Sequence, residues 1–189
     1  MNQYFTITVN PEIKLRPVEL VYAKSIFELV DKNRAFLGNW LPWIQYNTSQ
    51  SHTEKFIKNA LSKRNKLEMA VYTIWYNNRL AGMIDLQSID TINSKSYIGY
   101  WLGKEFTRQG IMTLACSGLI NIAFDFYNLN RITIRCATGN TKSCAIPERL
   151  GFTLEGIERQ SEWLNGRFVD LKVFSMLKTE WVNRINQPV

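Results

Sequence analysis

The chain has 189 residues, of which 46% are hydrophobic and 13% aromatic, and its formal net charge at pH 7 is +7. This length and composition exclude a disordered chain and predict one domain, residues 1–189, with a substantial buried core. The positive charge favours anionic ligands, and a phosphate-rich cofactor, an acidic protein and RNA all fit that sign.

The reactive residue types exclude several classes of site. The three cysteines, Cys116, Cys136 and Cys144, lack paired or metal-ligand spacing, and His52 is the only histidine. We therefore expect neither disulfides nor a metal site, and a histidine-dependent hydrolase would have to use His52 as its base. No run of 18 apolar residues and no signal-peptide pattern is present, so we predict a cytoplasmic protein without membrane contact.

The first half of the chain alternates between helix-like and strand-like patterns. A strand is predicted at 13–18, a helix at 19–37 that ends before the Trp-Leu-Pro-Trp segment, and a second helix at about 53–63. Three strand-like runs follow, at 69–76, 80–89 and 96–103. The Asn77-Asn78 turn between the first two indicates an antiparallel meander.

The second half predicts a crossover. A helix beginning near Ile111 is followed by a strand at 131–138, a short helix closed by Gly151, and two strands around an Asn165-Gly166 turn. A strand, helix, strand crossover makes its two strands parallel. The predicted fold class is therefore α/β (α+β), with a mixed and mostly antiparallel sheet.

The start of the helix near Ile111 lacks a capping Ser, Asp or Asn, because Thr107, Arg108, Gln109 and Gly110 precede it. The free first-turn amides carry roughly half a positive charge. Gly110 has no Cβ to obstruct a phosphate, and Arg108 can add charge-assisted contacts. The turn predicts an anion site, although many turns of this kind contain glycine without binding an anion.

Three segments, in order, resemble the Gcn5-related N-acetyltransferases (GNAT), in particular the RimJ/RimL group that acetylates protein N-termini. They are IGYWLGKEFTRQGI at 98–111, GNTKSCAIPERLGF at 139–152 and LEGIERQSEWLNGRFVDLKVFSML at 154–177. The resemblance covers nearly the whole chain. It implies a twisted sheet whose central parallel strands splay apart between flanking helices, with acetyl-CoA as the co-substrate and no metal.

In this family the turn before the helix follows a Gln/Arg-x-x-Gly-x-Gly/Ala pattern and binds the pyrophosphate of acetyl-CoA through backbone amides. Thr107 and Met112 depart from the pattern, but backbone donors need no particular side chain. The pyrophosphate residues implied here are Arg108, Gln109, Gly110, Ile111, Met112 and Thr113. The pantetheine arm would lie in the splay against Trp101, Leu102 and Gly103, which could alternatively be only core strand and turn.

The resemblance also implies that Asn140 and Ser143 bind the cofactor near its thiol. An amide can pair with the pantetheine amides, and a hydroxyl can protonate or hydrogen-bond the departing thiolate. The structural alternative is that Ser143 caps a helix beginning just before Pro147, because proline is tolerated only near a helix start.

Glu162 matches a glutamate that has been proposed to activate the amine in the RimL group. Independently, a two-residue Asn165-Gly166 turn places Glu162 opposite Val169 on a largely apolar face. Partial desolvation there raises a carboxyl pKa, which suits a base near neutral pH. The alternatives are a solvated carboxylate paired with Arg159 or Arg167, or a bulge that shifts the register.

Trp40 and Trp43 around Pro42 form a rigid aromatic surface that suits the wall of an acceptor channel, or simply a packed loop. The predicted reaction is direct transfer from acetyl-CoA to a primary amine, with Glu162 as the base and Ser143 assisting the thiol. The acceptor implied by the RimL resemblance is a ribosomal protein N-terminus. A small amine such as an antibiotic or polyamine is the alternative, since a fold does not determine the acceptor.

A rival function is a non-catalytic RNA- or ribosome-binding module that keeps an acyl-CoA pocket. Its support is a cluster of basic residues, Lys55, Lys58, Lys63, Arg64 and Lys66. The cluster lacks interleaved aromatics for base stacking, so nucleic acid is not an expected partner. Relatives of this type often self-associate, and we expect a homo-oligomer, a dimer or larger.

Overall fold

The computed structural model describes residues 5–185, so the predicted domain 1–189 extends beyond the described residues at both ends. Its strands are Ile7–Thr8 (β1), Ile13–Pro17 (β2), Ala70–Tyr76 (β3), Arg79–Asp90 (β4), Lys95–Leu102 (β5), Arg131–Ala137 (β6), Thr153–Leu164 (β7) and Arg167–Leu177 (β8). Its α-helices are Ala23–Lys32 (α1), Arg34–Leu37 (α2), Gln50–Asn65 (α3), Ile111–Asp125 (α4), Thr141–Arg149 (α5) and Lys178–Ile185 (α6). Short 3-10 turns cover Leu20–Tyr22, Pro42–Gln45 and Lys104–Phe106.

The eight strands form one mixed sheet in the order β1-β2-β3-β4-β5-β6-β8-β7. Every neighbouring pair is antiparallel except β5 and β6, which α4 connects. The parallel pairing ends at Tyr97 and Thr133, although β5 continues to Leu102 and β6 to Ala137. The predicted sheet with a central splayed parallel pair is therefore confirmed.

Each face of the sheet carries its own hydrophobic core. Tyr72 and Ile84 point into a cluster with the nearly all-apolar helix α4, whose Leu119 is fully buried. Their strand neighbours Val71 and Met83 belong to a second cluster with α1 and α3. This alternation follows from the two-residue period of strands.

The predicted helix at 19–37 is interrupted at Asn33, which is buried. The Asn33 Nδ2 donates to the Leu29 carbonyl (2.9 Å), and its Oδ1 accepts a hydrogen bond from the Lys104 amide (2.9 Å). This tertiary contact joins the end of α1 to the turn after β5, so local periodicity could not reveal it. The helix predicted at 53–63 also begins earlier, at Gln50, and the strand β1 and helix α6 were not predicted.

Candidate active site

The start of α4 presents uncapped backbone amides to open space. Gly110 is the N-cap residue, adopts φ +74°, and provides no side-chain cap. Arg108 also has a positive φ of 64°, and successive amides in such a turn form an anion-binding concavity. A Cβ at Gly110 meets no heavy atom within 4 Å, so the space above the turn is open. The geometry is that of a phosphate site.

A cavity of about 540 Å³ extends from this turn along the end of β5 to the start of α5. Ten residues predicted from the sequence line it: Trp40, Trp101, Leu102, Arg108, Gly110, Ile111, Met112, Thr113, Asn140 and Ser143. Four other predicted residues, Gly103, Gln109, Trp43 and Glu162, are not among its lining residues. Gly103 is buried, the Gln109 side chain donates to the Glu105 carbonyl, and the Trp43 ring lies 6.3 Å from that of Trp101.

Two cations in the cavity wall were missed by the sequence analysis. Lys142 and Arg149 lie seven residues apart on α5, two helical turns, and both line the cavity. The Arg149 guanidinium donates from Nε (3.3 Å) and Nη2 (3.0 Å) to the Thr113 hydroxyl at the start of α4. Together with Arg108 they make this end of the cavity positive, as a pyrophosphate requires.

The start of α5 shows that Ser143 is not a helix cap, contrary to the structural alternative considered for it. Asn140, not Ser143, is the N-cap, and its Oδ1 accepts a hydrogen bond from the Ser143 amide (3.2 Å). The expectation of a helix beginning just before Pro147 is therefore wrong, because Pro147 lies inside the helix. Proline has no N–H for the carbonyl four residues earlier. That carbonyl, of Ser143, accepts instead from the Tyr100 hydroxyl (3.1 Å).

Ser143, Tyr100 and Cys136 form a neutral cluster beside the splay. The Ser143 hydroxyl lies 3.3 Å from both the Tyr100 hydroxyl and the Cys136 sulfur, to which it can donate. Burial raises the pKa of Cys136 to about 11 and holds the pKa of Tyr100 well above its usual value. All three groups therefore carry their protons at neutral pH and can donate hydrogen bonds to an anion such as a thiolate.

Glu162 lies on β7 opposite Val169, so the predicted hairpin register is confirmed. A bulge does occur between Glu158 and Glu162, but it leaves this pairing intact. The hairpin turn is tied to the loop before Trp40, because the Asn165 amide donates to the carbonyls of Gly38 (3.2 Å) and Asn39 (3.3 Å).

Burial raises the pKa of the Glu162 carboxyl, and Arg135 opposes this in part. The side chain is half-buried and is not among the residues that line the cavity. In the described part of the chain, no ion pair joins Glu162 to Arg159 or Arg167. The cation that partly lowers its pKa is therefore Arg135, which is itself paired with Glu158.

Asp85 on β4 is a second carboxyl that sequence reasoning missed. Burial raises its pKa to about 7, although hydrogen bonds from Gln87 and from the Gly99 amide lower it. In the sequence it is one polar residue in an alternating strand, so nothing distinguished it from a solvent-facing position. Only the sheet register places it beside the splay.

The described structure contains neither a cluster of metal ligands nor a membrane-spanning helix. No group of three or more His, Cys, Asp or Glu residues in 5–185 is arranged to hold a metal ion. No helix in the same range is long and apolar enough to cross a membrane.

Known proteins resemble the chain over nearly its full length. The family described as "Acetyltransferase (GNAT) domain" matches residues 12–153. YdaF of Bacillus subtilis (strain 168), provisionally named a ribosomal N-acetyltransferase, is 40% identical over 94% of this chain and 97% of its own. The ribosomal-protein-serine acetyltransferase of Escherichia coli (strain K12) is 29% identical over 91% of this chain and 96% of its own.

A solved structure shows the same similarity in three dimensions. The ribosomal L7/L12 alpha-N-protein acetyltransferase RimL, in complex with coenzyme A, superposes with a TM-score of 0.90 at 32% identity. The match covers 93% of this chain and 99% of that protein.

Proposed function

Because the chain belongs to the GNAT acetyltransferase family, we propose that it transfers the acetyl group of acetyl-CoA directly to the N-terminal amine of a protein. The names of its relatives favour a ribosomal protein as that acceptor. The observation that carries the proposal is the cavity that joins the uncapped α4 amides to the Ser143 and Tyr100 hydroxyls. One end suits a pyrophosphate, and the other suits a thiol.

The cofactor-binding residues take separate parts of acetyl-CoA in this proposal. The backbone from Arg108 to Thr113 binds the pyrophosphate, with Lys142 and Arg149 adding positive charge. The backbone of Trp101, Leu102 and Gly103, beyond the point where β5 stops pairing with β6, binds the pantetheine arm. Asn140 binds the arm near the thiol while it caps α5.

The chemistry assigns one proton-accepting and one proton-donating residue. Glu162, directly or through water, takes the proton of the acceptor ammonium, and the free amine attacks the thioester carbonyl carbon. The carbon–sulfur bond breaks, Ser143 protonates or hydrogen-bonds the departing thiolate, and the second proton lost by the attacking nitrogen goes to the serine oxygen or to the sulfur. Tyr100 beneath Ser143 fixes the position of that hydroxyl. Trp40 and Trp43 line the path of the acceptor.

The remaining parts of the proposal concern the whole protein. We infer that residues 1–189 act as one cytoplasmic catalytic domain that forms a homo-oligomer, with neither membrane nor nucleic acid among its partners. A small-molecule amine is the alternative acceptor. The rival function, RNA or ribosome binding without catalysis, would use the basic residues of α3, of which Lys55 and Lys58 are exposed.

The test is a turnover assay with an acceptor panel. The protein is incubated with acetyl-CoA and either peptides bearing a free N-terminus, with serine-initiated sequences among them, or polyamines and aminoglycosides. Free thiol release and acceptor mass are followed. Acetylation of the peptides supports the proposal. Preferential acetylation of polyamines or aminoglycosides would show that the acceptor is a small amine and not a protein N-terminus. Salt-sensitive RNA binding without any turnover would establish the rival.

A further inference from the structure

The Asp85 carboxylate is held across strand β5 by a glycine and an amide side chain. Asp85 lies opposite Gly99, whose amide donates to its Oδ1 (3.1 Å), and Gln87 Nε2 donates to the same oxygen (3.0 Å). A Cβ at Gly99 would lie 2.7 Å from Asp85 Oδ1 and 2.4 Å from Gln87 Nε2. Glycine is therefore required here for the two side chains to reach over β5.

This carboxylate lies at the fork of the splayed strands. The parallel pairing ends at Tyr97, and Gly99 is two residues beyond it. The next residue of β5 on the same face is Trp101, which lines the cavity, about 7 Å further along the strand. Tyr100 points to the opposite face, where it contacts Ser143. Asp85 and the thiol-side cluster thus flank the fork from opposite faces.

Glu162 shares the face of Asp85. Tyr97 lies opposite Gln87, and the Arg135 guanidinium lies 5.0 Å above the Tyr97 ring. Arg135 pairs with Glu158 on β7, one bulge away from Glu162. This face, which carries both Asp85 and Glu162, is therefore the one from which the proposed acceptor approaches.

Within residues 5–185, no cation forms an ion pair with Asp85, and Arg135, whose guanidinium lies on the same face, is engaged by Glu158. Protein atoms surround most of the carboxyl, yet solvent reaches part of the residue. A carboxylate desolvated without a cation is unfavourable, and a cationic ligand would remove that cost.

We propose that Asp85 binds the protonated amine of the acceptor, so that the site selects amines that arrive as ammonium ions. This inference rests on the proposed acetyl transfer and specifies its substrate class. An α-amino group, with a pKa of about 8, or an alkylamine meets the requirement, whereas a weakly basic aromatic amine does not. Asp85 is a binding residue in this scheme, and proton removal remains with Glu162.

The test compares a charged ligand with its neutral counterpart in Asp85→Asn. The probes are a serine-initiated peptide and the same peptide N-acetylated, titrated onto the protein saturated with coenzyme A. Asparagine retains an oxygen for the Gly99 amide but has no charge. Wild type should bind the free-amine peptide about 10- to 100-fold more tightly than the acetylated one, and Asp85→Asn should lose most of that preference.

Controls separate this inference from the proposal on which it rests. Asp125→Asn removes the same charge from the exposed end of α4 and should keep the preference. Asp85→Ser provides a second variant if the asparagine form folds poorly, and coenzyme A affinity reports the integrity of both. An unchanged preference in folded Asp85→Asn overturns the inference. Failure of the proposed function would instead appear in wild type, as absent thiol release.

Discussion

At the scale of single residues, Glu162 and Asp85, the two carboxyls to which the proposed mechanism gives roles, differ in how deeply they are buried. Glu162 is half-buried at the end of a hairpin, and burial raises its pKa. Asp85 is more deeply enclosed, and its pKa rises to about 7. The cause is the same in both, since loss of hydration penalises the charged form more than the neutral one.

Replacing Glu162 with glutamine should lower turnover by roughly 10²- to 10⁴-fold, because glutamine keeps the shape but cannot accept a proton. Acetyl-CoA affinity should remain near that of wild type. The loss should shrink as pH rises, since an acceptor already deprotonated in solution needs less help from a base. The measurement is the pH-rate profile, with folded fraction followed by circular dichroism.

Glu68→Gln, on an exposed residue before β3, is the matched control and should be silent. If Glu162→Gln turned over at the wild-type rate between about pH 6 and 8, another group would have to be the proton acceptor. A variant that merely melted earlier, with normal activity per folded molecule, would indicate a structural role.

Asp85→Asn should also change how stability depends on pH. The Asp85 pKa is raised from 3.8 to about 7 by folding, so its stabilising contribution is complete below pH 3.8 and is lost as pH rises through 7. The loss amounts to at most about 4 kcal/mol. Urea unfolding should therefore show the variant gaining stability relative to wild type between about pH 4 and 7, with little further change at higher pH. Parallel curves for the two proteins would contradict the raised pKa.

At the scale of elements, the N-termini of α4 and α5 both line the cavity, but they differ in how their first amides are capped. The start of α5 is capped by Asn140, whereas that of α4 has no side-chain cap. An uncapped start costs stability unless another group satisfies the amides. In α4 that group is proposed to be the cofactor pyrophosphate. Cofactor binding would then stabilise the start of the helix by accepting hydrogen bonds from its free amides.

Gly110→Asp should weaken acetyl-CoA binding more than Gly110→Ala does. Both substitutions add a Cβ where φ is +74°, a conformation that aspartate tolerates better than alanine, and only aspartate adds a negative charge at the pyrophosphate. Calorimetric titration of the two variants isolates the charge effect, and the melting temperature reports the strain in each. Equal affinities in the two folded variants would place the phosphate site elsewhere.

At the scale of the whole molecule, the proposed acetyl-CoA site is built from elements that are far apart in the chain. It joins the end of β5, the start of α4 and the start of α5, so the cofactor can bind only when the sheet is assembled. A ligand that binds only the folded state shifts the unfolding equilibrium by mass action.

Acetyl-CoA should therefore raise the melting temperature. At 100 times its dissociation constant the ligand adds about 2.7 kcal/mol, which corresponds to roughly 5–10 °C for a chain of this size. Differential scanning fluorimetry with and without cofactor measures the shift, and pantetheine, which lacks the pyrophosphate, is the control and should act more weakly. The absence of any shift at millimolar acetyl-CoA would remove the proposed cofactor.

The sequence by itself determined most elements, their order and the parallel crossover, because hydrophobic period and turn residues such as Asn165-Gly166 act locally. The splay of the parallel strands was implied by the family resemblance and not by these patterns. The sequence also located the uncapped start of α4 and the register of Glu162. These features depend on residues close together in the chain. Their patterns could therefore be read without the fold.

Only the tertiary structure decided the features that depend on distant contacts. Asn33 interrupts a helix because it bonds the Lys104 amide, and Arg149 reaches the α4 start because α5 packs beside it. The role inferred for Asp85 depends on its place opposite Gly99, at the point where β5 leaves β6. A carboxyl pKa is set by the atoms that surround it in space, and no pattern in one strand records them.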